Sequence, residues 1–159
     1  MRRADREVTD AGKIREILEN AQIVHIGMVD DGRPYVVPMH YGYQYENGVL
    51  TLYMHGAKEG KKCDILAKNA QVFIEIETDV EDASGGDIPC NYGAFYASIM
   101  GEGKAAILTD TAEKVEALQI LMRTQTKREF VITEQMSRNV QVFRVIVPHL
   151  TAKCRPKMQ

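Results

Sequence analysis

The chain has 159 residues, of which 45% are hydrophobic and 26% charged, and a formal net charge of −2. That length suits a single domain, residues 1–159, able to bury a proper core, and the near-neutral balance leaves no global field to recruit nucleic acid. No run of eighteen apolar residues could cross a membrane, and the charged start Met1-Arg2-Arg3-Ala4-Asp5-Arg6-Glu7 is unlike a signal peptide.

Residues 1–8 read as a terminal extension. Thr9 or Asp10 can cap a helix in which Ile14, Ile17, Leu18 and Ala21 share one apolar face. Ile23 to Val29 is a continuous β-rich run, closed by the turn signal Asp30-Asp31-Gly32-Arg33. Pro34 to Tyr41 resumes extended structure, Glu46-Asn47-Gly48 turns it, and Val49 to Met54 follows. Three strands joined by two tight turns predict an antiparallel meander. Pro38 cannot donate to a ladder, so it marks an edge, a bulge or a backbone facing a ligand.

A short helix is expected over Cys63 to Asn69. Gln71 to Asp79 then alternates, with Val72, Ile74 and Ile76 on one face and Glu75, Glu77 and Asp79 on the other. Val80 to Asn91, with Gly85-Gly86 and Pro89, reads as a loop. Tyr92 to Leu108 reads as a long strand, bent where Gly101 and Gly103 share a face. Thr109 or Asp110 caps a further helix with Val115, Leu118, Leu121 and Met122 as its buried stripe. Thr124 to Arg128 reads as a basic loop, Val140 to Val147 as a last strand, and Lys153 to Gln159 as a terminal extension. About six strands and three helices without βαβ alternation predict a mainly β fold, a small antiparallel barrel with peripheral helices.

The chemistry gathers after Met54, in His55-Gly56-Ala57-Lys58-Glu59-Gly60-Lys61-Lys62. A strand, a glycine-bearing basic turn and a helix start can bring N–H groups and ammonium groups onto a phosphate. The spacing fails the P-loop, because three residues rather than four separate Gly56 from Gly60, and Lys62 stands where that motif needs Ser or Thr. A monophosphate needs less. The alternative is that the lysines only solvate a helix start, where their charge opposes the helix dipole. His40 and His55 end two strands and can flank one pocket. A metal site from His40, His55 and Cys90 lacks local ligand spacing, so no metal is expected. Cys63, Cys90 and Cys154 form no C-x-x-C pair, which fits a reduced, cytoplasmic setting. No nucleophile elbow is present, so a cofactor would have to carry any redox chemistry.

The sequence resembles the flavin-binding split-barrel proteins related to pyridoxamine 5′-phosphate oxidase, and within them the nitroimidazole-resistance (Nim) branch. The blocks carrying the likeness are Met1-Arg2-Arg3 with Asp5-Arg6-Glu7 and Thr9-Asp10, Tyr35 to Met39 with Tyr41-Gly42, Leu52 to Ala57 with Gly60-Lys61-Lys62, Tyr96 to Gly103, and the helix from Glu113 to Met122. The resemblance implies a six-stranded antiparallel split β-barrel that forms a homodimer with one FMN at each subunit interface. Carried over, Val36, Pro38, Met39 and His40 run beside the isoalloxazine ring. His55, Gly56, Ala57, Lys61 and Lys62 hold the ribityl phosphate, and Ser98 lies on the facing long strand. His55 is the candidate catalytic residue. The implied activity is an FMN-dependent oxidoreductase that takes electrons from NAD(P)H and passes them to a small molecule such as a nitroaromatic. The alternative is a non-catalytic flavin- or haem-binding module on the same fold. Where the oxidase branch has Ser-Arg-Lys this chain has Gly60-Lys61-Lys62, and the substrate-phosphate residues of a true oxidase have no clear counterpart, so that reaction is not expected.

Overall fold

Alternating inward and outward side chains fold nearly half of the chain into one antiparallel sheet with helices around it; the structure, a computed structural model, describes residues 3–157. The strands are β1 (Glu7–Val8), β2 (Ile23–Asp30), β3 (Arg33–His40), β4 (Gly42–Glu46), β5 (Val49–Gly56), β6 (Gln71–Ala83), β7 (Gly93–Leu108) and β8 (Gln141–Arg155). The α-helices are α1 (Ala11–Asn20), α2 (Lys61–Lys68), α3 (Thr111–Thr126) and α4 (Glu134–Arg138). Both tight turns form with the positive φ angles their residues allow: Asp31 47° and Gly32 81°, Asn47 51° and Gly48 81°. Asp10 caps α1 by accepting from the Lys13 N–H at 2.8 Å, and Asp110 caps α3 in the same way from Glu113 at 2.9 Å.

Eight strands stand among the described residues where six were expected, for two reasons. The two-residue β1 pairs with Ala152 and Lys153 of β8. The extended run from Arg33 to Glu46 is also two strands, because it breaks at Tyr41. Strand order is β3-β2-β6-β7-β8-β5-β4. Chain neighbours β3 and β4 therefore lie on opposite edges, with only Tyr41 between them. The sheet must curl until its edges meet, and no ladder closes the seam. The expected three-strand meander is thereby corrected: β2 pairs with β3 and β4 with β5, but β3 and β5 share no ladder.

Other boundaries moved as well. Lys153 to Arg155 is not a free extension; it continues β8, with Arg155 opposite Tyr96 of β7. Strand β8 passes Pro148 because that residue falls where the β7–β8 register slips between Glu102 and Lys104. This is the bend expected at Gly101 and Gly103. A Cβ on Gly101 would lie 2.5 Å from the Val147 side chain, and one on Gly103 2.8 Å from Val145. Helix α3 extends through the expected basic loop to Thr126 and buries Ala117, Leu118, Ile120 and Leu121; Val115 and Met122 are only half-buried. Strand β6 runs on to Ala83 across a register shift at Asp79, whose φ is 57°. Met1, Arg2, Met158 and Gln159, parts of the two expected extensions, lie outside the described residues.

The inner face carries the core, including Val24, Leu52, Ile74, Ile99 and Val147, each fully buried. Tyr41 is also fully buried, and its hydroxyl donates to the backbone oxygens of Leu18 at 2.8 Å and Ala21 at 3.3 Å. Burial pushes this phenol well above its ordinary pKa. At Gly42, an added Cβ would sit 2.4 Å from the Cα of Leu121, so only glycine lets α3 lie against β4. Gly42→Ala should lower stability by about 2 kcal/mol or more through overpacking, and Tyr41→Phe by about 1–2 kcal/mol through two deprived carbonyls, both read by urea unfolding. A Gly42→Ala protein as stable as the parent would show that α3 is free to shift.

Candidate functional site

Strand β5 ends at Gly56, and Gly60 sets the start of α2 with φ 128°, a conformation that glycine tolerates and other residues rarely adopt. The first N–H groups of a helix have no intrahelical partner. In α1, α3 and α4 a side chain from Asp10, Asp110 or Thr133 accepts from one of them. Gly60 has no side chain with which to do so. The first N–H groups of α2 and its positive dipole end thus begin at Gly60, four residues beyond the end of β5, without a side-chain cap.

The two lysines of the turn diverge. Lys61 reaches Asp30 at 3.2 Å and lies over the Tyr35 ring, 4.7 Å from its centroid, tying α2 to the β2–β3 hairpin. Lys62 turns inward. Its Nζ is 3.3 Å from the Met39 sulfur and 4.8 Å from the Phe143 ring centroid. A Cβ on Gly56 would fall 2.8 Å from that ammonium, so glycine is what admits it. Among the described residues Lys62 makes no ion pair, and burial holds its pKa below the ordinary lysine value. Its close neighbours are a thioether and an aromatic face, neither of which carries a charge to balance the half-buried ammonium.

His55 stands next to it, on the outer face of β5. Partial burial, then the charge of Lys62, then His40, pull the His55 imidazole below the usual histidine value. His40 ends β3 on the outer face of the sheet and meets Gln125 of α3, Nδ1 to Oε1 2.9 Å. The structure thus brings together His40, His55, Gly56 and Lys62, from three elements. Ala57 follows Gly56, and its carbonyl accepts from the Cys63 thiol at 3.6 Å.

Strand alternation sorts the remaining predicted residues. Val36, Pro38 and His40 face outward and are exposed, whereas Met39 faces the core and enters the site only as the sulfur beneath Lys62. Pro38 is on an edge strand, opposite His25 of β2. Ser98 is outward on β7, three strand spacings from β3, or roughly 14 Å. It shares a face with Val36 and Pro38 and stands apart from the lysine turn. That outer face is apolar at its centre: Val36, Gly27 and Phe73 align across β3, β2 and β6, with Met100 of β7 one row away. Val36 is 58%, Phe73 47% and Met100 41% exposed, a contiguous patch rather than scattered residues. Hollows of about 490 and 390 Å³ flank Phe73.

Sequence reading missed Gln125, because its segment read as a loop. The spacing Leu118, Leu121, Gln125 is helical and would have placed it on the inner face of α3. It also missed Asp30 and Phe143, which no local motif marks.

An uncapped helix start thus stands beside a half-buried ammonium at the edge of a curled antiparallel sheet. The family model described as pyridoxamine 5′-phosphate oxidase matches residues 10–153, and the chain belongs to that family. No curated protein matches the sequence. A solved structure from Bacteroides thetaiotaomicron, of a protein provisionally assigned to 5-nitroimidazole antibiotic resistance, is 36% identical, with 92% of this chain and 85% of that one covered and a TM-score of 0.77. The flavocytochrome Anf3 of Azotobacter vinelandii shares the fold at 19% identity, covering 99% and 72%, TM-score 0.77. So does the FAD- and haem-binding protein of Mycobacterium smegmatis at 14% identity, covering 96% and 74%, TM-score 0.79.

Replacing Lys62 by Met should raise the His55 pKa toward the ordinary histidine value, as followed by its imidazole proton shifts in NMR. The native preference for neutral His55 stabilises the fold above the ordinary histidine pKa and is lost as pH falls through the lowered one. The loss of stability on acidification through that window should therefore shrink in Lys62→Met. An unchanged His55 titration would show that the two side chains do not sense each other.

Proposed function

We propose that this chain is an FMN-binding flavoprotein, a single split-barrel domain that works as a homodimer and reduces a small acceptor. The observation that carries the reading is Lys62: a half-buried ammonium without a carboxylate among the described residues, pointing at Gly56, four residues before the uncapped start of α2 at Gly60. These groups fit a ribityl phosphate. Lys62 would meet its charge, the α2 N–H groups its oxygens, and Gly56 and Ala57 would let it approach the backbone. Lys61, engaged with Asp30 and Tyr35, would hold the helix start in place and add long-range charge.

When bound, the flavin would supply two-electron transfer between a nicotinamide nucleotide and a small acceptor such as a nitroaromatic. The chain's own contribution is position and electrostatics. The exposed edge strand β3 gives Val36 and Pro38 a flat surface on which a ring can lie. His55, pushed toward its neutral form first by partial burial and then by the charge of Lys62, can hydrogen-bond cofactor or substrate. The apolar patch around Phe73 suits a second copy of the chain, and Ser98, on the same face, would then approach the cofactor of the partner rather than its own. The relative from Bacteroides thetaiotaomicron supports the choice of acceptor. The flavocytochrome and the FAD- and haem-binding protein support a second reading, a cofactor carrier without turnover, which predicts bound flavin or haem but no NAD(P)H consumption with any acceptor.

Purified protein should show flavin absorbance, or quench and bind added FMN. Lys62→Ala should weaken FMN at least tenfold, about 1.4 kcal/mol, and should weaken riboflavin, which lacks the phosphate, far less. Equal losses for the two ligands would place the phosphate elsewhere, and a colourless protein indifferent to FMN would end the proposal. Phe73→Lys should convert dimer to monomer in light scattering; a dimer that survives would move the interface off this face.

A further inference from the structure

Gln125 makes three contacts that together fix the proton position on His40. Its Nε2 donates to the backbone oxygen of Tyr41 at 2.7 Å and to that of Gln22 at 3.1 Å. Carbonyl oxygens only accept, so turning the amide over would set Oε1 against two of them. Both N–H bonds of the amide are thus committed. The Oε1 atom, which also only accepts, faces His40 Nδ1 at 2.9 Å. The proton in that contact must belong to the imidazole, so Nδ1 carries it. A neutral histidine in water prefers its proton on Nε2; here the fold selects the other tautomer and leaves Nε2 with a bare lone pair.

The placement gives this lone pair a use. His40 is exposed on the outer face of β3, in line with Pro38 and Val36, and within electrostatic reach of His55. Lys62, the other basic group of the cleft, is a donor only. We infer that Gln125 is a positioning residue that holds His40 as its Nδ1–H tautomer, so that Nε2 is a fixed hydrogen-bond acceptor for an N–H donor on a ring bound along β3. The imide N–H of a flavin is such a donor, and to that extent the inference rests on the flavin reading above. Gln125 also joins Gln22, just before β2, to the Tyr41 break.

The test begins with the unliganded protein labelled with ¹⁵N-histidine. Long-range ¹H–¹⁵N correlation should report the proton of neutral His40 on Nδ1; a proton on Nε2 overturns the inference. Gln125→Lys keeps a donor for the two carbonyls but removes the acceptor, so it should stay folded while His40 reverts to the Nε2–H form. A folded variant that keeps Nδ1–H overturns the role of Gln125. If that variant fails to fold, the spectrum of the parent protein still decides. In the folded variant FMN affinity should fall about fivefold, the worth of one hydrogen bond, and unchanged affinity would overturn the acceptor role. An Nδ1–H tautomer in a protein that binds no flavin would sink the flavin reading alone, and an Nε2–H tautomer in a flavin-binding protein would sink this inference alone.

Discussion

One residue joins the two edges of the sheet. β3 and β4 pair at opposite ends of the strand order, and only Tyr41 lies between them. A single residue spans less than 4 Å, so the sheet must curl until its edges nearly touch. The junction is held from both sides. The Tyr41 hydroxyl donates to the end of α1, and the Tyr41 carbonyl accepts from Gln125 at the end of α3. The rest of the architecture follows from this constraint. It brings Met39 over the ammonium of Lys62 and His40 to the end of α3, and it sets the close packing of α3 on Gly42.

The cleft beside the seam is electrostatically unbalanced. Lys62, His55 and His40 converge from three elements, and the carboxylate nearest the lysine pair, Asp30, is taken by Lys61. Burying a cation without a partner costs stability, and the lowered pKa values of Lys62 and His55 express that cost. Two adjacent lysines that look equivalent in sequence therefore take separate places, one tied to the β2–β3 hairpin and one turned inward against Met39 and Phe143.

Local signals in the sequence were reliable where the physics is local. The Asp-Gly and Asn-Gly turns, the Asp10 and Asp110 caps, the alternation of β6 and the bend at Gly101 and Gly103 stand as expected, because each depends on a few neighbouring residues. The failures share a different cause. The break at Tyr41 has no Gly or Pro of its own and looks like continuous strand; it exists because its two sides pair with different partners far along the chain. Lys153 to Arg155 looks like a tail until β1 and β7 supply its ladder. Helix α3 outruns its apolar stripe because Gln125 finds carbonyl partners at Gln22, just before β2, and at Tyr41.

The sequence by itself determined the mainly β class and the family, since periodicity, glycine spacing and the motif blocks are written in neighbouring residues. Tertiary structure decided which lysine turns inward, that Met39 lies on the core side and Ser98 stands on another part of the sheet, and that His40 meets Gln125. These depend on strand register and on a glutamine 85 residues away from His40, distances in space that no local pattern encodes.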